Sequence, residues 1–148
     1  AHFLAYSTEH NITDQLNFIE KDLKMAAANR DTVPWIVVFA HKPLYCSTND
    51  YYDCQYAGPN VFRPALEALF KEYAVDLFLA GHLHNYERTY PVLDGKVISK
   101  SYSDPGATVH AVVGMAGDVE RADTYIHFTK AGVECCSGFP IGICNVVL

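Results

Sequence analysis

The sequence predicts an α/β fold built on a largely parallel sheet, and three observations carry the prediction. Short unbroken apolar runs alternate with longer segments of helical period, in the order strand, helix, strand, helix, strand over residues 2 to 80. The runs Trp35–Ala40 and Val75–Ala80 (Asp76 apart) lack the polar alternation of a strand with one wet face, so they read as covered on both faces. Half of the 148 residues are hydrophobic and 19% are charged, which suits a core-forming chain and excludes a disordered one. With 11 basic against 17 acidic residues, a net charge of −6 and no Lys/Arg run, electrostatic nucleic-acid binding is excluded too. No apolar run approaches the roughly 18 residues of a membrane span.

The elements follow in order. His2–Tyr6 is short, apolar and aromatic, which reads as a buried strand. Leu16, Ile19, Leu23 and Ala26 recur at steps of three and four and make one stripe of a helix from Asp14 to Asn29, capped by Thr13 or Asp14. Pro34 opens the strand Trp35–Ala40. The loop from His41 to Asn60 is long and rich in Tyr, Asn, Asp and Ser, as functional loops often are. A helix over Val61–Tyr73 presents Phe62, Ala65, Leu66, Leu69, Phe70 and Tyr73 on one face, with Pro64 early, where a missing N–H costs little. Val75–Ala80 is a strand, Gly81–Glu87 a loop, Arg88–Ser101 a hairpin turning at Asp94-Gly95, and Thr108–Gly114 a further strand. Beyond Asp118 the pattern fades.

Three histidines stand at strand ends. His41 directly follows one strand, and His82 and His84 follow another after Gly81, which lets the chain turn. In open parallel sheets ligands sit beyond the carboxyl ends of strands. If residues 82–84 are extended, i and i+2 point to one side, which brings His82 and His84 to the same rim as His41 and turns Leu83 into the core. Neutral imidazole is the commonest metal ligand, so the trio argues for a transition metal. His2, His10, His110 and His127 show no partner pattern and read as ordinary strand or surface residues.

Gly81-His82-Leu83-His84-Asn85-Tyr86-Glu87-Arg88, preceded by Val38-Phe39-Ala40-His41, resembles the purple acid phosphatases of the calcineurin-like metallophosphoesterases. The family carries five blocks in order: GDxG, GDxxY, GNH followed by Asp or Glu, VxxH, and GHxH. Val38 to His41 and Gly81 to His84 match the last two, and Tyr86-Glu87-Arg88 is typical of the purple acid subgroup. Ser7-Thr8-Glu9, Pro34-Trp35 and Val112–Gly117 also resemble the family in order and spacing. The resemblance implies a sandwich of sheets flanked by helices. It also implies a binuclear centre of Fe(III) with Zn, Mn or Fe(II), acting on phosphate monoesters at acidic pH in a secreted or lumenal setting. It makes His41 and His82 ligands of the divalent ion and His84 a ligand of the ferric ion. Two such ions clamp the phosphate and activate water for in-line attack on phosphorus. Plant members carry a substrate-contacting His-His pair after the VxxH block, where this chain has Asp50 and Tyr51.

The first three blocks have no counterpart before His41, where no Gly-Asp or Asn-His pair occurs. Residues 1–120 therefore look like the C-terminal half of a catalytic domain, and 121–148 are unassigned. Without the bridging carboxylate, three imidazoles do not hold two ions roughly 3.5–4 Å apart. At most one metal is expected in this chain, with negligible phosphatase activity, and half a sandwich leaves an apolar face uncovered. The start at Ala1 and the odd count of five cysteines fit a processed product or a piece of a longer chain. Resemblance to secreted members with Tyr-Cys-Ser supports a Cys46–Cys54 disulfide, the alternative being two buried thiols. Cys135 or Cys136 can pair with Cys144. Asn11-Ile12-Thr13 is an N-glycosylation sequon. Two rivals remain: another calcineurin-like phosphodiesterase, and a non-catalytic remnant or binding module that keeps the fold.

Overall fold

The computed structural model describes residues 1–47, 62–115 and 143–145. In chain order these form β1 (His2–Ala5), α1 (Thr13–Ala27), β2 (Ile36–Ala40), α2 (Arg63–Glu72), β3 (Leu77–Ala80), β4 (Tyr86–Thr89), β5 (Val92–Leu93), β6 (Lys96–Val97), β7 (Val109–Val113) and β8 (Ile143–Asn145). The main sheet runs β1-β2-β3-β7-β4-β8. Its first four strands are parallel, and β4 lies antiparallel to both neighbours. The parallel strand–helix–strand order expected over residues 2 to 80 is therefore present.

Two successive right-handed crossovers stepping the same way along a sheet put both helices on one face. That face holds the core: Leu4, Tyr6, Ile36, Val38, Phe78 and Ala80 pack with Ile19, Leu23 and Ala26 of α1 and Leu66 and Phe70 of α2. The opposite face is also apolar. Phe3, Val37, Leu77 and Val109 stand in one row across the strands, and Ala5, Phe39, Leu79 and Ala111 in the next. Here Phe3 is 65%, Phe39 42% and the neighbouring Trp35 61% exposed. This corrects the reading of these strands as covered twice: both faces are apolar, but among the described residues the helices cover only one.

Several boundaries and devices differ from expectation. Neither Thr13 nor Asp14 caps α1. The N-cap is Ile12 without a side-chain bond, and the Asn11 Oδ1 accepts the Thr13 N–H at 3.0 Å instead, an Asx turn made two residues earlier. β4 straddles an expected boundary: Tyr86 and Glu87 fall in the expected loop, Arg88 and Thr89 in the expected hairpin. Its Tyr-Glu-Arg-Thr has no apolar alternation, and its strand conformation comes from the ladder that β7 offers. β8, in the tail without a pattern, extends the same sheet beyond β4. The turn at Asp94-Gly95 is where the sequence puts it, with φ of 48° and 67° joining β5 to β6. Arg30, which no pattern marked, donates to the carbonyls of Pro34, Tyr73 and Ala74 and to Asp76, while Asp76 accepts the Ile36 N–H. It thereby ties both helix ends to the strand starts.

His110 on β7, read as an ordinary strand residue, is buried edge-on between Tyr45 and Phe78, with ring centroids 5.0 and 5.6 Å away. Burial, with the Arg63 charge nearby, lowers its imidazole from the usual 6.5 to about 3. Below pH 6.5 the unfolded chain takes up a proton that the folded chain refuses. Stability then falls by about 1.4 kcal/mol per pH unit, levelling near the folded value. Urea midpoints of the wild type are expected to drop between pH 6.5 and 5. In His110→Leu this slope should flatten, and an equal slope in the variant contradicts the assignment.

Candidate metal site

The ladder between β2 and β3 ends with Ala40 opposite Ala80. The next residues are His41 and Gly81, and the Gly81 N–H donates to the His41 carbonyl at 3.0 Å, which prolongs the pairing by one step. His82 then swings its ring across the gap. Its Nδ1 lies 3.1 Å from His41 Nε2, with the rings edge-on at 75° and 4.9 Å between centroids. Two nitrogens bound to one tetrahedral zinc at about 2.0–2.1 Å are roughly 3.3 Å apart. The pair therefore has the spacing of two donors to a single ion.

The backbone that achieves this is not the extended one expected. His82 has a φ of 65°, and the Leu83 N–H donates to the Gly81 carbonyl at 2.7 Å, closing a tight three-residue turn around His82. Left-handed backbone at a residue other than glycine persists where the surroundings overdetermine it. Leu83 does turn inward, packing with Cys46 and Val112. The turn breaks the i, i+2 relation on which convergence of all three histidines depended. Among the described residues no three His, Cys, Asp or Glu side chains form a group able to hold a metal. His41 and His82 are brought together and His84 does not complete a trio. Neither ion of a binuclear centre has a full ligand set among the described residues.

Two ties hold this loop. Gly114, just past β7, donates its N–H to the Asn85 carbonyl at 3.2 Å, and a Cβ there would fall 1.9 Å from the Leu83 carbonyl oxygen. The buried Glu87 carboxylate accepts the Ser47 N–H at 2.8 Å and the Asn85 side-chain N–H at 2.9 Å. It thus joins the segment after His41 to the loop carrying His82 and His84. In the sequence Gly114 and Glu87 both fall in stretches that resemble the family, and nothing in those stretches states a role for either. Nearby, the Tyr45 hydroxyl donates to Glu67 and accepts the Gly95 N–H, under the Arg63 guanidinium. Burial pushes the Glu67 carboxyl up.

Cys46 is disulfide-bonded, while Cys54, Asp50 and Tyr51 lie outside the described residues, as do Cys135, Cys136 and His127. Asn11 is exposed at the entry to α1, so its sequon is accessible. A cavity of about 150 Å³ lies at the opposite end of the sheet, between Phe70, Lys71, Asp76 and Asp104, away from the imidazoles.

Residues 3–86 match the model of the calcineurin-like phosphoesterase family. The chain is 35% identical over 149 residues to acid phosphatase type 7 of Homo sapiens, which covers 88% of this chain and 34% of that protein. It is 39% identical over 124 residues to the probable inactive purple acid phosphatase 24 of Arabidopsis thaliana, covering 78% of this chain and 20% of that one. The structure of purple acid phosphatase PPD1 from yellow lupin superposes with a TM-score of 0.75 at 31% identity, over 86% of this chain and 23% of that chain. The chain spans about a third of the length of the acid phosphatases type 7 that it matches. With the strand order, the strand-end histidines and these matches together, the chain belongs to the calcineurin-like phosphoesterase family and within it resembles the purple acid phosphatases.

Proposed function

We propose that this chain is part of a phosphate monoester hydrolase in which His41 and His82 bind one divalent ion and His84 serves a neighbouring ferric ion. The observation that carries the reading is the 3.1 Å approach of His41 and His82 beyond the ends of adjacent parallel strands. When bound, the ions polarise the phosphate and activate water. The contribution of this chain is to fix two imidazole donors on a rim that Gly81, Gly114 and Glu87 make rigid. Asp50 and Tyr51 occupy the family's substrate-contact positions. The disulfide at Cys46 and the accessible sequon at Asn11 support a secreted or lumenal setting, with Cys54 as the Cys46 partner. Among the described residues no helix is long and apolar enough to cross a membrane.

The purified chain is expected to bind no more than one equivalent of zinc, to lose it in His82→Ala, and to turn over no p-nitrophenyl phosphate at acidic pH. Robust turnover abolished by His82→Ala overturns the expectation of inactivity, and two metal equivalents overturn the incomplete ligand set. The rival, a non-catalytic remnant, draws support from the likeness to a probable inactive purple acid phosphatase. Coding sequence upstream of Ala1 that carries the GDxG, GDxxY and GNH blocks decides for the enzyme.

A further inference from the structure

We propose that Thr8 and Glu9 are positioning residues for His41, acting through Lys42; the inference rests on the reading of His41 as a metal ligand. β1 pairs with β2 as far as the Tyr6 N–H, which donates to the Phe39 carbonyl at 3.3 Å, and then its backbone leaves the sheet. The Thr8 hydroxyl takes over where the ladder stops. Its Oγ1 accepts the Lys42 N–H at 3.1 Å and donates to Glu9 Oε1 at 3.1 Å, and Thr8 is buried although polar. The same Glu9 oxygen lies 3.3 Å from Lys42 Nζ.

The loop that carries these groups is itself clamped. Gln15 of α1 accepts the Ser7 N–H and donates back to the Ser7 carbonyl, each at 2.9 Å. His41 is thus held from both sides. Gly81 takes its carbonyl on the β3 side, and Thr8 takes the following amide on the β1 side. A strand end held on one side alone is free to pivot, and a metal ligand displaced by a fraction of an ångström loses affinity. Glu9 has a second effect. It pairs with the Lys42 ammonium and offsets the positive charge on the residue that follows His41. The Lys42 hydrogen bond holds the Glu9 carboxyl below its ordinary range, and the nearby His41 adds to this.

The test uses the full chain and zinc alone. Thr8→Val, which keeps the shape and removes the hydroxyl, is expected to weaken zinc binding about tenfold. Without metal it should speed hydrogen exchange at the Lys42 amide about fivefold. Thr8→Ser should restore both to within about twofold, a rescue that lost packing does not produce. Glu9 is exposed, so Glu9→Gln leaves folding intact. It is expected to weaken zinc about threefold at low ionic strength and not in about 0.5 M salt. Wild-type zinc affinity in Thr8→Val with faster Lys42 exchange overturns the role of Thr8 while leaving the metal reading standing. Unchanged affinity in Glu9→Gln overturns the role of Glu9. A wild-type chain that binds no zinc overturns the positioning inference and the metal reading together.

Discussion

Replacing Gly114 by alanine is expected to destabilise the chain by about 3 kcal/mol or more and to abolish zinc binding by the His41–His82 pair. The reason is space. Gly114 is not among the residues with positive φ, so an alanine there meets no backbone strain of its own. Its Cβ, however, would stand 1.9 Å from the Leu83 oxygen and 2.9 Å from the Leu83 carbonyl carbon. Both are backbone atoms, so relief requires the loop to move, and this is the turn that sets the His82 ring. Urea unfolding measures the first effect and zinc titration the second. Wild-type values in both mean that Leu83 yields without disturbing His82, and the loop is then not braced by β7.

Glu87→Ala is expected to cost about 2–6 kcal/mol, since it strips the acceptor from two buried donors at about 1–3 kcal/mol each. Ser47 N–H and Asn85 Nδ2 are those donors. Glu87→Gln keeps an acceptor oxygen and should cost less. The effect is local as well as global: hydrogen exchange at the Ser47 amide should accelerate in Glu87→Ala beyond what the lower stability accounts for. Denaturation within about 0.5 kcal/mol of wild type shows that the carboxylate is not needed to hold these segments together.

Much of the architecture was legible because apolar periodicity is a local property. The stripe Leu16, Ile19, Leu23 and Ala26 announced α1, and its buried members are Ile19, Leu23 and Ala26. Asp94-Gly95 announced its turn because few dipeptides accept positive φ at two successive residues. β4 was legible only in its second half, inside the Arg88–Ser101 hairpin, because Tyr86 to Thr89 carry no apolar alternation and their buried members, Glu87 and Thr89, are polar. The pairing of His41 with His82 was legible from strand ends, and the failure of His84 to join them was not. A single left-handed residue reverses the direction of a loop, and nothing in Gly-His-Leu-His states which residue takes that conformation.

The sequence by itself determined the strand and helix order over residues 2 to 80, the apolar character of both sheet faces, the two histidine blocks and the lack of the upstream blocks before His41. These depend on residue type and spacing along the chain. Only the tertiary structure decided which sheet face the helices cover, how β7 and β4 insert beside β3, and why Gly114, Glu87 and Thr8 matter to residues far from them in sequence. Each of those depends on a contact across the sheet between segments whose own patterns are silent, and such contacts exist only once the strands are in register.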